Sequence, residues 1–223
     1  MISHAEIEPV FKRLWETLIR QCPDLRQLSI LTQGPAEPIN SIDARLLFSG
    51  DHWPHLRFLE LGNVKVGPVL DDGDAHPFIS FLSARNHLRA LHLSGDFTLS
   101  PSHLARLPRD SLQDLRYFSG SIDQLSSLPS AKNLLSVELP NPLILRAFTP
   151  LTVSQALQAA PAVQSLKVSF VLQSGYDGIG ILRSIATAGA HIRHLDLTFS
   201  HKPSFYLVWI TLDYYFLKHV HAS

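Results

Sequence analysis

A six-residue string of the form apolar-x-x-apolar-x-apolar recurs along nearly the whole chain and leaves few folds open to it. The tight copies occupy 25–30 (Leu-Arg-Gln-Leu-Ser-Ile), 56–61 (Leu-Arg-Phe-Leu-Glu-Leu), 88–93 (Leu-Arg-Ala-Leu-His-Leu) and 192–197 (Ile-Arg-His-Leu-Asp-Leu). Looser copies fill 115–120, 134–139 and 163–168, the first of them ending on Gly120 where the others have an apolar residue. The strings begin at Leu25, Leu56, Leu88, Leu115, Leu134, Val163 and Ile192, and the interval from Leu115 to Leu134 is much the shortest. One such string is weak evidence; seven in near-register are a repeat. The last two apolar positions alternate with polar ones, as a half-buried strand requires, and the first turns the chain into that strand. A lone strand of this length cannot stand by itself, whereas parallel strands stacked from successive strings bury a continuous row of leucines.

Helix signals fill the gaps. Ile7, Val10, Phe11, Leu14 and Leu18 fall on one helical face, with Pro9 read as a first-turn proline. Ser100-Pro101 opens a second helix with Leu104 and Leu107 inward, and Ile181, Leu182 and Ile185 mark another. Ser121-x-x-Gln124 and Thr152-x-x-Gln155 both have the form of a capping box. Just before five strings stand Cys22-Pro23, Trp53-Pro54, Arg85-Asn86, Ala160-Pro161 and Gly189-Ala190; in the three with proline, it stops the helix and biases its predecessor toward extended backbone.

Strand then helix, repeated, predicts an α/β leucine-rich repeat solenoid of about seven irregular repeats over residues 1–200, with parallel strands on a concave face and helices on a convex one. Residues 201–223 break the pattern. Their stretch 205–217 is apolar nearly all round, shorter than the roughly 20 residues a membrane span needs, and interrupted by Asp213. A buried cap helix, a partner contact or a misplaced gene boundary each accounts for it.

The pattern Cys/Trp/Ala-Pro-x-Leu-Arg-x-Leu-x-Leu, with helical linkers of uneven length, resembles the leucine-rich repeat region of fungal F-box proteins. The resemblance runs from Met1 to about Ser200 and implies the substrate-recognition half of a ubiquitin-ligase receptor. The F-box that would dock a Skp-type adaptor would precede the repeats, and the first repeat helix begins too close to Met1 to leave room for one, so the adaptor is implied only if an F-box lies upstream. Many such repeats carry an Asn just past the string; here Gln33, Val64, Asp96, Pro142, Val171 and Ser200 stand there, which predicts an irregular ladder with loose turns.

Alternation along each strand aims one column, Ser29, Glu60, His92, Ser119, Glu138, Lys167 and Asp196, at the concave face, and a second, Gln27, Phe58, Ala90, Tyr117, Ser136, Ser165 and His194, beside it. From these, Phe58, Glu60, His92, Tyr117, Ser119, Glu138, Lys167, His194 and Asp196 are the candidate contacts for a protein partner, with Phe58 and Tyr117 as aromatic anchors. Arginine follows the first apolar residue in five strings, at 26, 57, 89, 116 and 193, with Asp24, Glu60, Asp114 and Asp196 near enough in sequence to make a charge-paired, solvated rim.

Equal counts of basic and acidic residues, 19 each, argue against nucleic acid or an anionic membrane as partner. The single Cys22 permits no intrachain disulfide, and the charged first residues are unlike a signal peptide, so an intracellular, cytoplasmic or nuclear protein is expected. Twelve histidines include the close pairs His52/His55 and His191/His194, yet neither has a second ligand pair at metal spacing, and no metal or cofactor is expected. No nucleophile elbow, phosphate loop or His-Glu-x-x-His is present, which leaves an enzyme on a repeat scaffold as the remote alternative to a binding module.

Overall fold

The computed structural model describes residues 4–31, 42–66, 76–94, 99, 101–129, 131–144, 150–171 and 178–199. Ser100, the Asn-equivalent positions Gln33, Asp96 and Ser200, the apolar tail 201–223 and the side chains of Ile7, Val10 and Ile181 lie outside what is described. Among the described residues no helix is long and apolar enough to cross a membrane.

Seven strands form one all-parallel sheet: β1 (Gln27–Leu31), β3 (Phe58–Gly62), β5 (Ala90–Ser94), β6 (Tyr117–Ser119), β7 (Ser136–Ile144), β8 (Ser165–Val171) and β9 (His194–Phe199). Each is hydrogen-bonded to the next in chain order, without a crossover. Among the described residues six α-helices lie between or before them: α1 (His4–Gln21), α2 (Pro77–Ser83), α3 (Pro101–Leu104), α4 (Ile122–Ser127), α5 (Pro150–Ala159) and α6 (Gly178–Ala188). A two-stranded parallel ladder joins β2 (Ile42–Asp43) to β4 (Val64–Lys65).

The same turn precedes every string. The first apolar residue donates its N–H to the carbonyl three residues back, from Leu25 to Cys22 through Leu56 to Trp53, Leu88 to Arg85, Leu115 to Leu112, Leu134 to Ala131 and Val163 to Ala160, ending with Ile192 to Gly189. This helix-to-strand turn is regular; the missing Asn belongs to the other end of the strand, beyond the string. The second residue of each of the first six strings then offers one carbonyl to two successive N–H groups leading into the following strand. Arg26 O, for example, accepts from Arg57 at 2.8 Å and Phe58 at 3.1 Å, and Arg89 O accepts from Arg116 at 2.9 Å and Tyr117 at 3.0 Å.

One face of the sheet makes the core. The first string positions Leu56, Leu88, Leu115, Leu134 and Val163 are buried, as are the inward strand residues Leu59, Leu61, Leu91, Leu93, Phe118, Val137, Leu166 and Val168. Phe78, Phe81, Leu104, Leu125, Val153, Leu157 and Ile185 of the helices cover them. Apolar area removed from water on both sides of this layer is the main stabilising term.

Several local expectations need correction. Helix α1 already runs from His4, so Pro9 sits in its second turn; Phe11 and Leu18 pack on the core as expected, but its fully buried residue is Trp15, at 6% exposure, while Leu14 is 51% exposed. Trp15 also donates its indole N–H to the Asp43 carbonyl at 2.8 Å, which ties α1 to the small ladder. Ser121 and Gln124 form the capping box, whereas Thr152 lies inside α5, in its first turn, and not at the position before it. Trp53 precedes a proline yet has φ of 56°, because its ring is seated in the core at 1% exposure and the turn must bend sharply to put it there. Helix α2 and the β2/β4 ladder carry no string and were not expected; Val64 at an Asn-equivalent position is used as a buried apolar residue.

The shortest interval gives the shortest strand of the main sheet, the three residues of β6, followed by the six-residue α4. Gly120 is not a weak copy of leucine. A Cβ there would stand 2.6 Å from Phe118 Cζ and 2.7 Å from Gln124 Oε1, so the Phe118 ring and the capping-box glutamine already fill the position. At the other extreme β7 runs nine residues, and its register shifts between Leu139 and Leu143, across Pro140 and Pro142. Restoring the string's apolar ending by Gly120→Leu is therefore expected to destabilise the fold by about 1–3 kcal/mol in urea denaturation, the usual range for overpacking.

Candidate functional site

The sheet face away from the helices carries both expected columns as continuous rows. Ser29 pairs with Glu60, Glu60 with His92, His92 with Ser119, Ser119 with Glu138, Glu138 with Lys167 and Lys167 with Asp196. Beside them Gln27, Phe58, Ala90, Tyr117, Ser136, Ser165 and His194 form the second row. Parallel in-register pairing leaves neighbouring side chains of a row one strand spacing apart, about 4.8 Å, which is close enough for direct contact.

Contacts concentrate in the middle of the face. The His92 ring lies between two aromatic rings from the neighbouring strands, 5.0 Å from Phe58 and 4.4 Å from Tyr117 between centroids, and it is stacked on the tyrosine at 23°. Tyr117 donates its phenol O–H to Glu138 Oε2 at 2.6 Å, and Lys167 Nζ meets Glu138 Oε1 at 2.8 Å. Ser29 Oγ donates to Glu60 Oε2 at 2.5 Å. Phe58, Glu60, His92, Tyr117 and Glu138 are half-buried, while Lys167, His194 and Asp196 are exposed. Ser119 is the exception among the candidate contacts: at 4% exposure it is buried among its neighbours and offers almost no surface.

Electrostatics lock these groups rather than poise them. Burial, and then the hydrogen bond to the Glu138 carboxylate, push the Tyr117 phenol well above its ordinary range. The hydrogen bonds from Lys167 and Tyr117 hold Glu138 below the usual carboxylate value, and Glu138 in turn raises Lys167. Burial lowers the His92 imidazole, against the opposing pull of Glu60 and Glu138. A protonated phenol, an ionised carboxylate and a neutral imidazole form a rigid polar and aromatic surface. General acid–base work needs a group whose pKa lies near the working pH with a proton to exchange, and the Tyr117–Glu138 pair is held away from that condition on both sides.

The arginine rim departs from the expected charge pairing. Asp114 pairs with His87, at 3.0 Å, and acts on Arg116 and Arg89 only at longer range. Glu60 is engaged by Ser29 on the face. Among the described residues, Arg26, Arg57 and Arg89 have no carboxylate within ion-pair distance.

Sequence reasoning missed a second histidine cluster. His76, at the start of α2, and His103 of α3 are buried with ring centroids 4.9 Å apart, and neither Nδ1 has a partner. They stand far apart in sequence, in separate gaps between strings, so no spacing signal marks them. Two imidazoles are not a ligand set, and among the described residues no three His, Cys, Asp or Glu side chains converge on a possible metal. The same region buries the Arg85 side chain, which pairs with Asp51 at 2.7 Å, donates to the His52 carbonyl and lies 4.5 Å over the Phe81 ring. These contacts join neighbouring strand–helix units and do not form an open site.

No protein-family model matches the chain, and no curated protein matches it.

The His92 environment has a pH consequence. A folded-state pKa below 6.5 means the unfolded chain binds the proton more readily, so this contribution is fully present above about pH 6.5 and is lost as pH falls through the folded value. His76, lowered by burial and by the neighbouring His103 and Arg106, acts in the same direction. Folding free energy is expected to decline below about pH 6.5, and His92→Phe, which keeps a ring between Phe58 and Tyr117, to remove part of that slope in urea titrations at stepped pH. An unaltered slope in the variant would contradict the assignment.

Proposed function

We propose that this chain is a non-enzymatic protein-interaction module, an irregular leucine-rich repeat solenoid that holds a protein partner on the open face of its sheet. The solenoid reading is supported by strand order that follows chain order, by parallel pairing throughout and by the identical turn before every string. The binding reading is carried by one observation, the contiguous Phe58, His92 and Tyr117 rings on the half-buried open face. Aromatic residues pre-ordered by packing lose little rotamer freedom when a partner covers them, which is why they dominate interface energetics. Glu138, fixed by Tyr117 and Lys167, supplies a polar border to the ring row.

The likeness of the strings to fungal F-box receptors makes a substrate-recognition role our preferred form of this reading. A Skp-type adaptor enters only through an F-box elsewhere in the gene product, and a repeat scaffold unconnected with ubiquitin would use the same face. Finding an F-box frame joined to this one, followed by adaptor pull-down of the joined product, separates the two.

The docking face itself is tested by affinity capture with mass spectrometry on the native chain and on Phe58→Ala/Tyr117→Ala, followed by titration of the purified partner. Binding is expected to weaken by roughly tenfold or more, the effect of losing a central aromatic contact. A variant that melts normally and retains the partner at native affinity would move the site to the helical side.

A further inference from the structure

We infer that the segment docking on this face is an acidic amphipathic helix, laid across the strands with its carboxylates on an arginine row and its apolar stripe on the ring row. The inference rests on the open face being the docking surface and adds the chemistry of what binds there.

Arg26, Arg57, Arg89 and Arg116 hold the same string position on four consecutive strands, and their main chains are directly linked. Arg57 N donates to Arg26 O at 2.8 Å, Arg89 N to Arg57 O at 2.8 Å and Arg116 N to Arg89 O at 2.9 Å. The four side chains are exposed and their backbone positions step along the rim at the strand spacing of about 4.8 Å; Arg116 also donates to the Gln113 and Asn133 carbonyls. Their charge is only partly compensated: Arg26, Arg57 and Arg89 lack ion pairs among the described residues, and Asp114, hydrogen-bonded to His87, acts on Arg89 and Arg116 only from beyond ion-pair distance. On the face Glu138 is matched by Lys167, while Glu60 accepts from the neutral Ser29 hydroxyl and keeps its charge. The three guanidinium groups without an ion pair among the described residues, Arg26, Arg57 and Arg89 leading into β1, β3 and β5, outnumber that one carboxylate, which favours a partner carrying a line of carboxylates along the arginine row.

One residue further along each strand lies the uncharged row Gln27, Phe58, Ala90 and Tyr117. A ligand satisfying both rows presents acidic and apolar side chains side by side, repeating at the strand spacing. An α-helix repeats about every 5.4 Å, so over three strand intervals it drifts by about 2 Å, within the reach of an arginine side chain. An extended peptide repeats one face about every 6.7 Å and drifts by about 6 Å over the same span. The helix fits and the strand does not.

The test uses the full chain and a fluorescein-labelled synthetic helix of about five turns, with a leucine stripe flanked by glutamates, read by fluorescence anisotropy. Comparators are the same peptide with lysine for glutamate, the glutamate peptide with serine for leucine, and a single-stranded oligonucleotide. The glutamate–leucine peptide is expected to bind roughly tenfold tighter than any comparator and to weaken as salt rises. Arg57→Glu/Arg89→Glu is expected to abolish that binding with an unchanged circular dichroism spectrum; Arg57→Gln/Arg89→Gln, which adds no opposing charge, carries the test if the reversal disturbs the fold. Lysine peptide or oligonucleotide binding as tightly as the glutamate peptide overturns the inference, as does the absence of saturable binding. If the arginine variants bind normally while Phe58→Ala/Tyr117→Ala does not, the docking face stands and its acidic ligand is wrong. If the ring variant binds normally, the docking face itself fails.

Discussion

A single backbone carbonyl per strand, shared between two successive N–H groups of the next strand, underlies the organisation of this molecule. Arg26, Arg57, Arg89, Arg116, Leu135 and Gln164 each supply one. A carbonyl oxygen has two lone pairs, so both donors are satisfied at one point and the following strand has only one register in which its buried positions face the core. A slip of one residue would turn Leu59 or Leu91 outward and lose the burial of every inward side chain on that strand. Register and core are thus fixed by the same contact. The linkers, shortest between Leu115 and Leu134 and longest between Leu56 and Leu88, are free to vary without disturbing it.

The open face inherits its order from that register. Because Phe58, Ala90 and Tyr117 occupy equivalent positions, and His92 the next outward position, the histidine ring falls between its two aromatic neighbours without any loop to arrange it. The same register brings Glu138 between Lys167 and the Tyr117 hydroxyl, which explains why these three groups shift one another's proton affinities. Side chains held this way have little conformational entropy left to lose, which is what the proposed recognition role requires of them.

The strands, the two outward rows and the helix-to-strand turns are legible from the sequence because a recurring string with alternating polarity has one physical solution when stacked. What escapes are features that depend on neighbours rather than on period. Trp15 takes the inward place assigned to Leu14 because α1 meets the β2/β4 ladder, where the indole finds the Asp43 carbonyl, and that ladder belongs to no string. Helix α2 goes unmarked since its Phe78, Ile79, Phe81 and Leu82 lie in the gap between two strings; it is held by Phe48 through edge-on ring contacts at 4.8 and 5.0 Å. Gly120 reads as a defect from the string alone, whereas Phe118 and Gln124 occupy its space. Sequence proximity also misjudges the arginine rim, because acids close in the chain serve His87 and Ser29 instead.

Amide hydrogen exchange followed residue by residue tests the shared-carbonyl arrangement most directly. The account predicts matched strong protection of both amides at each interior junction, Arg89 with Ala90, Arg116 with Tyr117, Leu135 with Ser136 and Gln164 with Ser165, opening together in denaturant. One amide of such a pair exchanging at the rate of an unstructured peptide, while its partner stayed protected, would contradict the shared carbonyl and with it the rows of the open face.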